Sequence, residues 1–435
     1  MVSVETLGAL QRRLNAFIPQ QQIRGEVEAR IKRLGRTAKV HGFRPGKVPF
    51  KILEQQYGAQ VHQEVLGDVL QRSFADEVRA NSLRVAGYPD FELKAADPAA
   101  GQIEYSATFE VYPDVVVGDV TAESVERVSY TLGEADIENT ITTLRKQRAV
   151  FKITDREAQN DDQVLIDYSG KLDGVVFEGG EARNFTLLLG KRRMLADFEN
   201  AIVGMKAGET KSFELTFPEN YHGADVAGKL VIFTITLHSV EAPILPELDA
   251  ELAKALGVAD GDVIKLKEEI RENLIRETDR RLKARNKNNV MDLLLKVCQL
   301  EVPNALLDSE VQNLTGKAVR EMEERGMKIP KGMSLPPDMF VEQAQKRVKL
   351  GLILAEVVKQ NKLAAKPEQV KLLVQDYAQS FEHPEEVVKW HYSEPSRLHE
   401  VEAMVLEDNV VGWVMGAAKV NERTMDFNEL MGKDQ

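Results

Sequence analysis

From Val263 to Val297 apolar side chains return at helical spacing: Val263, Leu266, Ile270, Leu274, Leu282, Val290, Leu293 and Val297. That is longer than an ordinary globular helix and reads as an extended helical hairpin or arm. Such an element does not fit inside one small core. A chain of 435 residues has room for about two to four domains, each burying its own interior. Beyond Pro243 and Pro246 the chain reads as almost wholly helical. Pro303, Pro330, Pro336, Pro337, Pro367, Pro384 and Pro395 punctuate it. Within this part, "GMKIPKGMSLPPDMF" is expected to form a loop at a tip.

Upstream the periodicity changes. Residues 150–241 form a β-rich block. "QVLIDYSGKL" and "VVFEGG" flank Asp173-Gly174, a hairpin turn signal. "KSFELTF" alternates at Phe213, Leu215 and Phe217, and "LVIFTITL" alternates at Val231, Phe233, Ile235 and Leu237. With a short helical piece at "FENAIVGM", the block reads as one antiparallel sheet with a helix against it. Residues 1–112 read as an α+β unit. It has a helix from about Gln20 to Leu34, a second from about Pro49 to Ala80, and a half-buried strand through Ile103, Tyr105, Ala107, Phe109 and Val111. Residues 113–149 read as a helical connector with Ile137, Ile141 and Leu144 on one face. The fold class is therefore α+β and multidomain, divided as 1–112, 113–149, 150–241 and 242–435.

Several functions are excluded. The first twenty residues lack a basic segment followed by an apolar run, so no secretory signal is expected. No apolar run reaches membrane-spanning length. The single cysteine, Cys298, allows no internal disulfide framework and fits a reducing cytoplasm. It reads as a small buried hydrophobe. Seven scattered histidines form no metal-ligand spacing, so neither metal nor cofactor is expected.

The chain carries a net charge of −12, yet Arg30 to Lys51 holds Arg30, Lys32, Arg33, Arg36, Lys39, Arg44, Lys47 and Lys51 with no acid between them. Such a local positive field attracts polyanions or acidic surfaces. Within it, "KVHGFRPGKVPF" is no phosphate loop. Only three residues separate Gly42 from Gly46, and Val48 follows Lys47. Gly42 and Gly46 permit a sharp path that Pro45 and Pro49 stiffen, so Phe43 is presented at the tip beside Arg44. An aromatic flanked by cations on a rigid turn has the makeup of a binding hot spot.

"GFRPGKVP" followed by a long helix resembles the ribosome-docking signature of the trigger factor family of nascent-chain chaperones. The resemblance implies that Phe43, Arg44 and Lys47 dock, with Gly42, Pro45 and Gly46 shaping the loop. The partners implied are a large-subunit ribosomal protein beside the exit tunnel and the adjacent ribosomal RNA. The β-rich block, through "VLIDYSGKLDGVVFEGG", "FTLLLGKRRMLADFENAIVGMKAGE", "FPENYHG" and "VIFTITL", resembles the FK506-binding type of peptidyl-prolyl isomerase, also that family's central domain. Matching positions imply a catalytic pocket of Tyr168, Phe177, Phe185, Met194, Leu195, Phe198, Tyr221 and Phe233, with Glu178 at its polar edge. Asp197 stands where the family usually has glycine and is placed to cap the short helix. Ala201 also replaces a common glycine.

"QKRVKLGLILAEVVKQNKL" and "FNELMG" resemble the family's helical C-terminal domain, whose arms hold unfolded chains and against which the connector packs. Family roles in protein export and cell division are implied likewise, and a homodimer off the ribosome stays open. The isomerase chemistry suits the residues. Amide rotation faces a barrier of roughly 18–20 kcal/mol, and an apolar cleft favours the twisted amide without nucleophile or metal. A backbone N–H near Leu195 and the Tyr221 hydroxyl are placed to hold flanking carbonyls, and Phe198→Ala is expected to slow isomerisation with the fold intact. Two other readings stand beside this one: a free cytosolic isomerase with dimerising helical arms, and a non-catalytic RNA-binding protein using the basic window.

Overall fold

The computed structural model describes the chain apart from residues 1, 42, 44–45, 95–100, 222, 224, 328–334, 382 and 433–435. The chain divides into two compact units, 1–128 with 284–423 and 129–283 with 424–435.

The first unit opens with a four-stranded antiparallel sheet. Its strands are β1 (Ser3–Thr6), β2 (Gln11–Pro19), β3 (Val85–Leu93) and β4 (Gln102–Val111), in the order β1-β2-β4-β3. Two helices cover it, α1 (Gln20–Leu34) and α2 (Phe50–Ala80). Alternate β2 residues Leu14, Ala16 and Ile18 meet Ile23 and Ile31 of α1, Val61 and Val65 of α2, and Tyr105 and Phe109 of β4. The Tyr105 hydroxyl is satisfied by Ser73 Oγ at 3.0 Å, as a buried phenol requires. The α1 stripe and the strict alternation of β4 are thus the core faces that the sequence indicates.

The rest of the unit is mainly helical. After β5 (Ser124–Ser129) the chain passes into the second unit. It returns along α6 (Val263–Val297), inside which the division between units falls. Before that return come α3 (Glu134–Gln147), β6 (Val150–Thr154), β7 (Gln163–Leu172), β8 (Val175–Leu188), α4 (Ala196–Ile202), β9 (Thr210–Thr216), β10 (Leu230–Ile244) and α5 (Ala250–Ala255). After it come α7 (Asn304–Glu324), a 3₁₀ turn (Pro337–Phe340), α8 (Val341–Asn361), α9 (Pro367–Ala378), α10 (Pro384–Tyr392), α11 (Pro395–Ala417), β11 (Lys419–Thr424) and α12 (Phe427–Met431). Pro367, Pro384 and Pro395 each occupy the first turn of their helix, where a missing N–H costs nothing. Cys298 is buried with Val290, Leu294, Ile353, Val410 and Val414. Part of the Met- and Pro-rich segment 326–340 lies outside the described residues.

Two expectations need correction. The connector is helical only over Glu134–Gln147; Ser124–Ser129 is a strand that pairs with β11. Lys419–Thr424 likewise interrupts a region read as almost wholly helical. Pairing between segments so far apart leaves no turn signal in either.

The second unit is built on the β-rich block. β10 pairs antiparallel with β6, β7 and β9, and β7 pairs with β8. The β7–β8 hairpin turns through Asp173 (φ 52) and Gly174 (φ 84). Both are left-handed, as the tight turn between twisted strands demands. β10 buries alternate residues Val231, Phe233, Ile235 and Leu237. A second core joins Ile137 and Ile141 of α3 to Ala253, Leu266, Ile270 and Phe427. Asp197 does not cap α4. The N-cap is Leu195 and no side chain caps it; the carboxylate used there belongs to Glu199.

Candidate functional site

Phe233 of β10 is the centre of an aromatic set drawn from β7, β8, β9 and α4. Phe198 of α4 meets its ring edge-on at 5.3 Å between centroids, and Phe177 of β8 does so at 6.2 Å. Phe213 of β9 stacks on it at 6.0 Å. Tyr168 of β7 lies edge-on to Phe198 at 5.5 Å and to Phe185 at 5.7 Å. Phe217 completes the wall, 4.7 Å from Tyr221. Edge contacts of this kind add about 0.5–1.5 kcal/mol each beyond burial. Gly170 makes room for the rings: a Cβ there would stand 2.6 Å from Phe233 Cε1 and 2.9 Å from Phe177 Cε1.

The walls bound a cleft of about 290 Å³, close to the lower end of small-ligand sites. Its lining brings together Tyr168, Phe177, Met194, Leu195, Phe198, Tyr221 and Phe233, all expected from the sequence. Phe185 is outside the lining; it meets the Tyr168 ring and packs against the same core. Glu178 is exposed and outside the lining. The lining adds Gly179, Arg192, Arg193, Leu215 and Phe217, of which Leu215 and Phe217 were legible as alternate residues of β9 and its end.

One rim of the cleft is the loop 190–195, which Glu199 holds. Its carboxylate, 4% exposed, accepts from the backbone N–H of Gly190 at 2.8 Å, Met194 at 3.0 Å and Arg192 at 3.3 Å. A buried carboxylate is tolerable when so satisfied, and here it fixes the loop against α4. Asp161 ties the same loop from outside, receiving Lys191 at 2.7 Å and Lys146 of α3 at 2.6 Å. Those two ammonium groups hold its carboxyl below the usual range. The Leu195 N–H has no hydrogen bond among the described residues, so it remains a donor at the cleft. Burial and then the neighbouring Tyr221 push the Tyr168 phenol above its ordinary value, which keeps it protonated and able to donate.

In the first unit, the segment between α1 and α2 is pinned at both flanks. Ala38, Val40, Val48 and Phe50 pack on the sheet-and-helix core. Between them Phe43 is 39% exposed, its N–H donating to the Val40 carbonyl at 3.1 Å. Gly46 takes φ 82, a conformation suited to glycine, and Lys47 is exposed. Gly42, Arg44 and Pro45 lie outside the described residues. Arg30 pairs with Asp68 at 3.2 Å and Lys32 with Glu28 at 3.7 Å. Arg33, Arg36, Lys39, Lys47 and Lys51 enter no ion pair among the described residues.

A feature not singled out from sequence lies on α9, α10 and α11. Leu373, Tyr377, Phe381, Val387, Trp390 and Met404 line an apolar groove of about 640 Å³. Trp390 is 54% exposed and is covered on one face by the Arg397 guanidinium at 4.0 Å. The aromatic spacing in "DYAQSF" and "KWHY" was the available signal.

An antiparallel sheet packed on a short helix, with an aromatic-walled cleft and no serine or cysteine among its described lining residues, defines the class of the second unit's central block. A family model described as FKBP-type peptidyl-prolyl cis-trans isomerase matches residues 154–238. Models described as bacterial trigger factor protein and its C-terminus match residues 1–144 and 262–416. A trigger factor of Aromatoleum aromaticum is 50% identical over 98% of this chain and 98% of its own. One of Nitrosospira multiformis is 51% identical over 99% of each. The chain belongs to the trigger factor family. A solved chain described under "Promiscuous Substrate Recognition in Folding and Assembly Activities of the Trigger Factor Chaperone" covers 95% of this chain and 100% of its own at TM-score 0.46 and 17% identity; the assignment rests on the sequence relatives instead. Among the described residues no helix is long and apolar enough to cross a membrane.

Proposed function

We propose that the cleft centred on Phe233 is where this ribosome-associated chaperone isomerises X-Pro bonds. The observation that carries the reading is the enclosure of one small volume by Tyr168, Phe177, Phe198, Tyr221 and Phe233. Aromatic faces hold a prolyl ring. The apolar surroundings favour the rotated amide, which has lost resonance and charge separation, over the planar one. The Leu195 N–H and the Tyr221 hydroxyl, both at the cleft, are placed to hold carbonyls flanking the bond, and the Tyr168 hydroxyl is a further donor there. No proton, electron or covalent bond is exchanged with the client.

The docking role belongs to the loop. Phe43, left exposed between packed flanks, supplies apolar contact. Arg44 and Lys47 supply direction toward a large-subunit ribosomal protein beside the exit tunnel and the adjacent ribosomal RNA. The groove on α9–α11 supports the holding of unfolded polypeptides, since exposed aromatic and Met side chains take up varied apolar segments. Cores confined to residues 4–111 and to residues 158–240 support the division at 112 and around 150–241. The unpaired, buried Cys298 supports a cytoplasmic setting.

Ribosome sedimentation tests the assignment. Phe43→Ala with Arg44→Ala and Lys47→Ala is expected to abolish co-sedimentation at physiological salt while X-Pro isomerisation of a model peptide persists. Undiminished sedimentation removes the docking loop from the reading. Absence of any catalysed isomerisation by the wild type would reduce the cleft to a binding module.

A further inference from the structure

Leu195 is gripped on both sides by one residue. Its carbonyl accepts the N–H of Phe198 at 2.9 Å and that of Glu199 at 3.1 Å. The residue before it is held by the Glu199 side chain, whose Oε1 accepts the Met194 N–H at 3.0 Å. The other oxygen, Oε2, accepts from Gly190 at 2.8 Å and Arg192 at 3.3 Å. Gly190 (φ 78) and Arg192 (φ 53) are both left-handed, and the loop curls so that alternate N–H groups converge on the carboxylate. That carboxylate is buried at 4% exposure, so water does not stand in for a bond it loses. It is also absent from the cleft lining, which Leu195 joins. From outside, Asp161 receives Lys191 of the loop and Lys146 of α3.

We propose that Glu199 is a positioning residue for isomerisation. It sets the rate without meeting the client, by fixing the direction of the Leu195 N–H, and Asp161 is the outer support of the same loop. The inference rests on the isomerase reading of the cleft. The prolyl ring is gripped mainly by rings of β7, β8, β10 and α4, so its binding depends little on the exact place of the loop. Holding a flanking carbonyl while the amide turns depends on it strongly, because a misplacement of about 1 Å can cost up to about 10²-fold in rate. A contact needed chiefly in the rotated state is lost from kcat and not from KM.

The test uses the full chain and the peptide Ala-Leu-Pro-Phe, with catalysed exchange read by NMR over a range of concentrations so that kcat and KM separate. Glu199→Gln keeps the size of the side chain. Its one oxygen serves either Met194 or the pair Gly190 and Arg192, and its NH₂ then opposes an N–H on the other side. In this variant kcat is expected to fall about tenfold with KM within about twofold of wild type. Hydrogen exchange at the Gly190 or Met194 amide should quicken with it. Asp161→Asn, whose side chain tolerates the φ 72 of that position, should lower kcat about twofold at constant KM. Should Glu199→Gln not fold, Asp161→Asn decides alone, and an unchanged kcat there overturns the inference. Val240→Ala is the comparison for stability, since Val240 is buried in the same core but lies outside the cleft lining. It should lower the urea midpoint and leave kcat of the folded protein unchanged. An unaltered kcat in folded Glu199→Gln overturns the inference, as does a loss confined to KM or an equal loss of kcat in Val240→Ala, and all three leave the isomerase reading intact. No catalysis by the wild type overturns that reading and this inference together.

Discussion

Phe198 shows how a single residue can serve two ends. It lines the cleft, yet it is only 1% exposed and meets Tyr168, Phe213 and Phe233. The expectation that Phe198→Ala spares the fold therefore does not survive the packing. Removing a buried ring leaves a cavity and costs about 3–5 kcal/mol. Urea unfolding should show that loss for Phe198→Ala, and a loss of under about 2 kcal/mol for Phe198→Leu, with isomerisation slowed in both. A slow but stable Phe198→Leu separates the residue's catalytic contribution from its structural one. The sequence revealed Phe198 because its place in "ADFENAI" matches a family motif. It could not reveal Glu199, whose three acceptor bonds depend on where the preceding loop folds. Nor could it reveal Arg192's left-handed backbone, which no residue type announces.

At the scale of elements, the parts written in local periodicity were legible. The α1 stripe, the Asp173-Gly174 hairpin and the alternation of β10 all follow from side-chain period and turn chemistry. What joins elements was not. Asp161 links α3 to the cleft loop through Lys146 and Lys191, and nothing in the spacing of those three residues indicates it. Because its folded carboxyl titrates below the unfolded value, its contribution is present above about pH 4 and is lost as pH falls through the lowered value. The pair is partly exposed, so the contribution is modest, about 0.5–1 kcal/mol. Asp161→Asn should lower the urea midpoint of the second unit slightly at pH 7, and the gap from wild type should close as pH falls through the lowered carboxyl value. A gap that persists unchanged in acid would show that the ion pairs are not its source.

At the scale of the whole molecule, the two units have separate interiors. The cores around Phe233 and Ile270 belong to one, and those around Tyr105 and Val290 to the other. Unfolding is therefore expected in more than one step. Trp390 and Trp413 both lie in the first unit, so tryptophan fluorescence reports that unit alone. Its urea midpoint should differ from the midpoint of the full far-ultraviolet circular dichroism signal. Coincident transitions would mean that the units unfold as one. The charge distribution is likewise a whole-molecule property. An acidic body of net charge −12 confines its unpaired cations near Phe43 to a short stretch, which favours one oriented attachment over diffuse adhesion.

The pairing of β5 with β11 sets a timetable. Ser124–Ser129 is made roughly 290 residues ahead of its partner Lys419–Thr424. The core that holds Val120 and Val125 must wait too, for Ile353, Val410 and Val414. At roughly 5–20 residues per second, those early segments spend tens of seconds without their partners. Contacts so distant in sequence form late in any case. A chaperone that receives unfinished chains is thus itself, during its own biosynthesis, a long-unfinished chain.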